Sequence, residues 1–222
     1  MWGRIMKNKP TNVMLIVSCV YFLLSALYLY WPSWLNSSLR PYEKALPILL
    51  LAGFLGWSGR GKARLPVTAL VLSAAGDITG DSGAAGFIPS IAFFGLAQVL
   101  YAVFFAQTMR FQVSRLVLAL LYLAGISILV FNLSGSPILA DPILRTMVMA
   151  YTAVISAMAI TALFRDKCSL LLPLGAIIFT LSDSMIAWDR FISPFPNAGI
   201  WVMVTYALAQ YLITMGIDTT QP

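Results

Sequence analysis

The chain has 222 residues, of which 60% are hydrophobic and only 10% charged, and it contains no histidine. A soluble domain carries about 25% charged residues, so most of this surface faces lipid rather than water. Without imidazole there is no Ser-His-Asp triad, no Cys-His pair and no histidine-ligated metal, and the two cysteines, Cys19 and Cys168, are too few for a disulfide framework or metal cluster.

Apolar stretches between charge clusters predict eight helices, at 13–31, 43–58, 65–80, 86–107, 115–132, 143–164, 169–189 and 198–217. Most approach the ~20 residues that cross a bilayer as helix. The first follows Arg4, Lys7 and Lys9 but is too long and aromatic for a signal peptide and lacks a small-residue cleavage site, so it reads as a retained helix. The second and third are short and joined by the basic turn Ser58 to Arg64, which suits a tight hairpin. The fold class is therefore all-α, a single polytopic membrane bundle of eight transmembrane helices spanning 1–222.

Basic residues fall on alternate loops. Arg4, Lys7, Lys9, Arg60, Lys62, Arg64, Arg110, Arg115, Arg165 and Lys167 lie on the amino-terminal side, against Arg40, Lys44, Arg145 and Arg190 on the other. That bias places both termini in the cytoplasm. The net charge of +6 is scattered rather than gathered in a stripe, which argues against nucleic acid. Tyr30, Trp31, Trp34, Trp57, Trp188 and Trp201 sit near helix ends as an interfacial belt. Prolines 47, 66, 89 and 173 lie at or just inside helix starts. A short echo, Ser73 to Asp77 against Thr180 to Asp183 with Leu-Ala-Gln-x-Leu following each at Leu96 and Leu208, suggests a 4+4 parallel repeat.

Glu43, Asp81, Asp141, Asp166 and Asp218 lie in loops or at helix ends, whereas Asp77 and Asp183 lie inside spans. An ionisable group within a span is costly and marks function. Asp77 is roughly 6 Å inside its helix end, counted from Asp81, and Asp183 roughly 10 Å inside its own, counted from Arg190. Glu43 and Lys44 open the second helix at the same level. Ser73 shares a helical face with Asp77, and Arg190 with Asp183. Gln98 with Tyr101, and Tyr206 with Gln210, form polar pairs that lipid cannot satisfy. Two carboxylates in a partly dry pocket suit acid and base roles, one holding a proton and the other ionised beside a cation such as Lys44. The same pair could relay protons in a transporter, and the residues alone leave both readings open.

The segments Lys44-Ala45-Leu46-Pro47, Ser73-Ala74-Ala75-Gly76-Asp77, Gln98-Val99-Leu100-Tyr101-Ala102, Tyr151 with Met158, Gly175-Ala176 through Ser182-Asp183 to Arg190-Phe191, and Tyr206 to Gln210 give the resemblance. In order and spacing the chain resembles the YhhN-like lysoplasmalogenase family of eight-helix membrane proteins. The resemblance implies hydrolysis of the vinyl ether bond of a lysophospholipid within membrane lipid, without cofactor or metal, yielding a fatty aldehyde and a glycerophospho-base. It implies Asp77 and Asp183 as the acid and base pair. Lys44 would tune a carboxylate or contact phosphate, Arg190 would hold the headgroup, and Tyr206 and Gln210 would orient water or glycerol oxygens. Ser73, Gln98, Tyr101, Tyr151 and Ser182 would support them. Gln98 stands where the family often has histidine, and Asp189 where it often has asparagine, so Asp189 is left out of the site. A proton-coupled transporter or lipid-binding protein using the same aspartates is the alternative.

Overall fold

A computed structural model of the protein describes residues 11–30, 39–59, 63–166 and 168–217. Within them the chain folds into eight α-helices: α1 (Thr11–Tyr30), α2 (Arg40–Ser58), α3 (Arg64–Gly80), α4 (Phe87–Ala106), α5 (Val113–Ser134), α6 (Pro142–Phe164), α7 (Leu171–Phe191) and α8 (Ala198–Gly216). Short 3-10 turns at Ala84–Gly86 and Pro137–Ala140 precede α4 and α6. Six of the helices, α1 and α4 to α8, are long and apolar enough to cross a membrane. The remaining two, α2 and α3, carry Arg40, Glu43, Lys44 and Asp77, the charges that dilute their apolar character. Large apolar side chains are exposed on the outside, among them Leu120, Leu121, Ile128 and Phe131 of α5. Helices with satisfied backbones and an apolar exterior make this an integral, multi-pass membrane protein.

The helix limits lie close to those expected because charges, glycines and prolines punctuate the apolar runs. Pro66, Pro89 and Pro173 each occupy the third position of their helix, where a backbone N–H has no intrahelical acceptor to lose. Pro47 is different. Because α2 begins at Arg40, three residues before the expected start, Pro47 is interior and cannot donate to the Glu43 carbonyl. Asp141 caps α6, accepting from the Ile143 N–H at 3.0 Å. Tyr30, Trp57, Trp188 and Trp201 are exposed near helix ends. Trp31, Trp34, Arg4, Lys7, Lys9, Arg60, Lys62, Lys167 and Asp218 lie outside the described residues.

The most extensive packing joins α7 to α8 and α3 to α4, followed by α2 with α3 and α4 with α6. These two tightest pairs carry the echoed segments, but the correspondence stops there: α2 packs more fully on α3 than α6 does on α7. By contrast, α5 rests lightly on α6 and α7. Small residues set the close pairs. A Cβ at Gly175 would lie 2.8 Å from the Ile213 nitrogen and 3.0 Å from the Ala209 carbonyl oxygen, so α7 and α8 approach backbone to backbone. Between α3 and α4, a Cβ at Gly86 would fall 1.7 Å from the Thr79 carbonyl oxygen, so the turn closes only with glycine there.

One end of the bundle is stitched shut. Met109 and Arg165 form an isolated bridge, with the Arg110 N–H donating to the Phe164 carbonyl and the Asp166 N–H to the Thr108 carbonyl, both at 2.8 Å. The Arg115 guanidinium donates to the carbonyls of Leu163 and Arg165 at 2.5 and 2.8 Å. Buried Arg165 stacks on Phe104 at 4.3 Å and donates to its carbonyl. These arginines thus join the loops after α4 and α6 besides carrying charge. Replacing Gly175 by valine is expected to cost about 1–3 kcal/mol by overpacking the α7–α8 seam, seen as a lowered melting temperature in detergent. Gly53→Leu, at an α2 position with open space around it, should leave that temperature nearly unchanged.

Candidate functional site

The opposite end, where α1, α3, α5 and α7 finish and the even-numbered helices begin, encloses a cavity of about 210 Å³. Its walls include Lys44 of α2, Asp77 of α3, Phe94 of α4, Tyr151 of α6, Asp183 and Arg190 of α7 and Tyr206 of α8. Antiparallel pairing of α2 with α3 brings Lys44, early in its helix, level with Asp77, late in its own. Because α3 and α7 run the same way, Asp183 arrives at the same end. Two carboxylates distant in sequence therefore line one space.

Asp77 is 1% exposed. Lys44 Nζ lies 3.6 Å from its Oδ1, and the Tyr206 hydroxyl donates to its Oδ2 at 2.7 Å. The Gln210 amide nitrogen in turn donates to the Tyr206 oxygen at 3.4 Å, and Tyr101 donates to Gln210 Oε1 at 3.3 Å. Every donor in this line points toward Asp77, which stands at its accepting end. Asp183 accepts from the Tyr151 hydroxyl through Oδ2, and among the described residues no cation lies within ion-pair distance of it. The two carboxyl groups thus share a cavity and each accepts from a phenol, but only Asp77 also faces an ammonium.

Aromatic packing holds the line in place. Tyr206 sits edge-on to Phe94 at 5.9 Å and to Phe179 at 5.5 Å, arrangements favoured by ring quadrupoles. A Cβ at Gly76 would lie 2.8 Å from the Phe94 ring, so the residue before Asp77 must be small for Phe94 to brace Tyr206. At the rim Asp81 accepts from Tyr28 at 3.3 Å and faces Arg40 at 3.8 Å. Arg190 stacks over the Phe87 ring at 3.6 Å.

The cavity thus unites Lys44, Asp77, Tyr151, Ser182, Asp183, Arg190 and Tyr206. Other expected site residues serve elsewhere. Ser73 donates to the Ala69 carbonyl within its own helix and is not part of the cavity wall, because a serine hydroxyl at this position is satisfied one turn back. Tyr101 and Gln210 stand behind Tyr206. Gln98 is fully buried, lies beside the Tyr151 hydroxyl, and has neither amide atom in hydrogen-bond geometry. Ser182 donates to the Val202 carbonyl, tying α7 to α8 next to Asp183. Asp189 accepts from the Phe195 N–H at 3.1 Å and so shapes the turn before α8. Sequence reasoning passed over Phe94 and Thr180, both in the wall. Phe94 lies one helical turn before Gln98 and Thr180 three residues before Asp183, a spacing that would have flagged both.

What these features define is an intramembrane carboxylate site in a polytopic helical bundle. The chain belongs to the YhhN family, whose model matches residues 39–217. It is 36% identical over 207 residues to lysoplasmalogenase TMEM86B of Homo sapiens, covering 89% of this chain and 81% of that protein. Identity to lysoplasmalogenase TMEM86B of Sus scrofa is 31% over 209 residues, covering 91% and 86%. To lysoplasmalogenase TMEM86A of Bos taurus it is 31% over 224 residues, covering 92% and 87%. No solved structure matches the chain.

Removing one member of a buried pair leaves the other uncompensated. Lys44→Met is therefore expected to lower thermal stability, and Asp77→Asn introduced with it should restore part of the loss. A double-mutant cycle of melting temperatures should return a coupling of about 1–3 kcal/mol.

Proposed function

We propose that the protein is a lysoplasmalogenase, an ether hydrolase that converts an alkenyl lysophospholipid and water to a fatty aldehyde and a glycerophospho-base, with Asp77 and Asp183 as its acid and base pair. The observation that carries this reading is the shared cavity in which the two carboxyls have unlike neighbours. It is joined by the lysoplasmalogenase names of relatives matched over most of their length. Nothing in the site favours the transporter alternative over it.

The reaction needs a proton delivered to carbon. Asp183, accepting from Tyr151 through one oxygen and with no cation at ion-pair distance among the described residues, holds the proton on its other oxygen and gives it to the β carbon of the vinyl ether. The double bond shifts, and the adjoining carbon and ether oxygen share the positive charge of an oxocarbenium ion. Asp77, ionised beside Lys44, stabilises that charge as a fixed counter-ion and takes a proton from the water that adds to the cationic carbon. The hemiacetal so formed passes its hydroxyl proton to the glycerol oxygen, the carbon–oxygen bond breaks, the aldehyde leaves, and the proton taken up by Asp77 returns to Asp183 through water to restore the starting state. Arg190 at the rim binds the phosphate. The alternation of Lys and Arg along the sequence supports a cavity that opens away from the cytoplasm.

Purified protein in lipid nanodiscs should release aldehyde from an alkenyl lysophospholipid and none from its acyl counterpart. Asp77→Asn and Asp183→Asn should each lower kcat by about 10²-fold or more, the usual worth of a positioned acid or base. Aldehyde release at the wild-type rate in both variants would refute the assignment.

A further inference from the structure

Beside the reacting cavity runs a second hollow of about 400 Å³ between α5 and α7, walled by Leu121, Gly125 and Ile128 on one side and Ile177, Leu181 and Trp188 on the other. The two spaces adjoin, with Ile126, Leu129, Thr180 and Ser184 lining both. Polar atoms are scarce along the groove, and the Tyr122 hydroxyl, which donates to Thr180 at 3.3 Å, crosses it near the junction. From Ile177 to Trp188 the groove follows roughly 16 Å of helix at 1.5 Å per residue.

Resting on the lysoplasmalogenase reading, we infer that this α5–α7 groove holds the hydrocarbon chain of the lysophospholipid and sets which chain lengths are turned over. The chain is bonded to the reacting carbon, so it must leave the cavity while its vinyl ether lies between the aspartates. Beside the cavity the α7–α8 seam is tied by Ser182 on the Val202 carbonyl and the α3–α4 seam is filled by Phe94 against Gly76. The α5–α7 seam is loosely packed, apolar, and open sideways, since Leu121, Gly125 and Ile128 are exposed. A lysolipid can thus slide in from the bilayer with its headgroup at the Arg190 rim and its tail never crossing water.

Gly125 makes the idea testable, because a Cβ added there meets no atom within 4 Å and the residue lines the groove. With a short-chain and a long-chain alkenyl lysophospholipid of one headgroup, Gly125→Leu should lower the long-to-short ratio of kcat/KM about tenfold or more, the scale on which apolar pockets discriminate size. Gly53→Leu, which also projects into open space but lies away from both hollows, should leave the ratio as in the wild type. A non-hydrolysable alkyl lysophospholipid with a diazirine at the chain end should label α5 and α7, and Gly125→Leu should weaken that labelling. An unchanged ratio, or label falling mainly on other helices, would overturn the groove. Absence of aldehyde release from wild-type protein would instead refute the hydrolase reading, while the labelling would still decide where the chain lies.

Discussion

The structure turns on a buried ion pair: Asp77 of α3, almost wholly removed from solvent, is compensated by the Lys44 ammonium of α2 and by the Tyr206 phenol of α8. A carboxylate placed alone at this depth would cost several kcal/mol, so the helices that supply its partners have to meet around it. The hairpin of α2 and α3 does so through its antiparallel register, and α8 through a tyrosine braced by Phe94 and Phe179. Even Gly76 follows from this constraint, since a larger side chain would displace the Phe94 ring. The less apolar character of α2 and α3 is the price of carrying these groups.

The two ends of the bundle answer different demands. At one end arginines and backbone bonds tie the loops after α4 and α6, which fixes the spacing of the helices. At the other end Lys44, Asp77, Asp183 and Arg190 line the cavity, and Ser136 on the Phe191 carbonyl ties the α5–α6 connection to the end of α7. The lightly packed α5 fits this division, as it covers the site without supplying either carboxylate.

Absence of histidine shapes the chemistry as well as the composition. In the proposed reaction acid and base work passes to two chemically identical groups that each accept from a phenol, so their difference comes from the Lys44 ammonium beside Asp77. The line from Tyr101 through Gln210 and Tyr206 orients every donor toward Asp77 and stiffens the accepting carboxylate. An enol ether asks for little else, because protonation at carbon, charge stabilisation and water addition need neither a nucleophile nor an electrophilic metal.

Much of this was legible in the chain itself. Apolar runs, punctuated by charge, glycine and proline, determined eight helices, because lipid leaves the backbone no alternative to internal hydrogen bonding. The cost of intramembrane charge singled out Asp77 and Asp183, and alternation of basic loops placed them at one end. Tertiary structure alone decided who faces whom. Periodicity puts Ser73 and Asp77 on a shared helical face but cannot say that the serine turns back to its own helix while a tyrosine far along the chain reaches the aspartate. Tyr101 and Gln210 looked like wall residues and proved to be the layer behind one. Helix formation is local and readable in a window of residues; the meeting of α2, α3, α6, α7 and α8 depends on close approaches at single glycines and on aromatic edges, contacts between positions that no one-dimensional pattern relates.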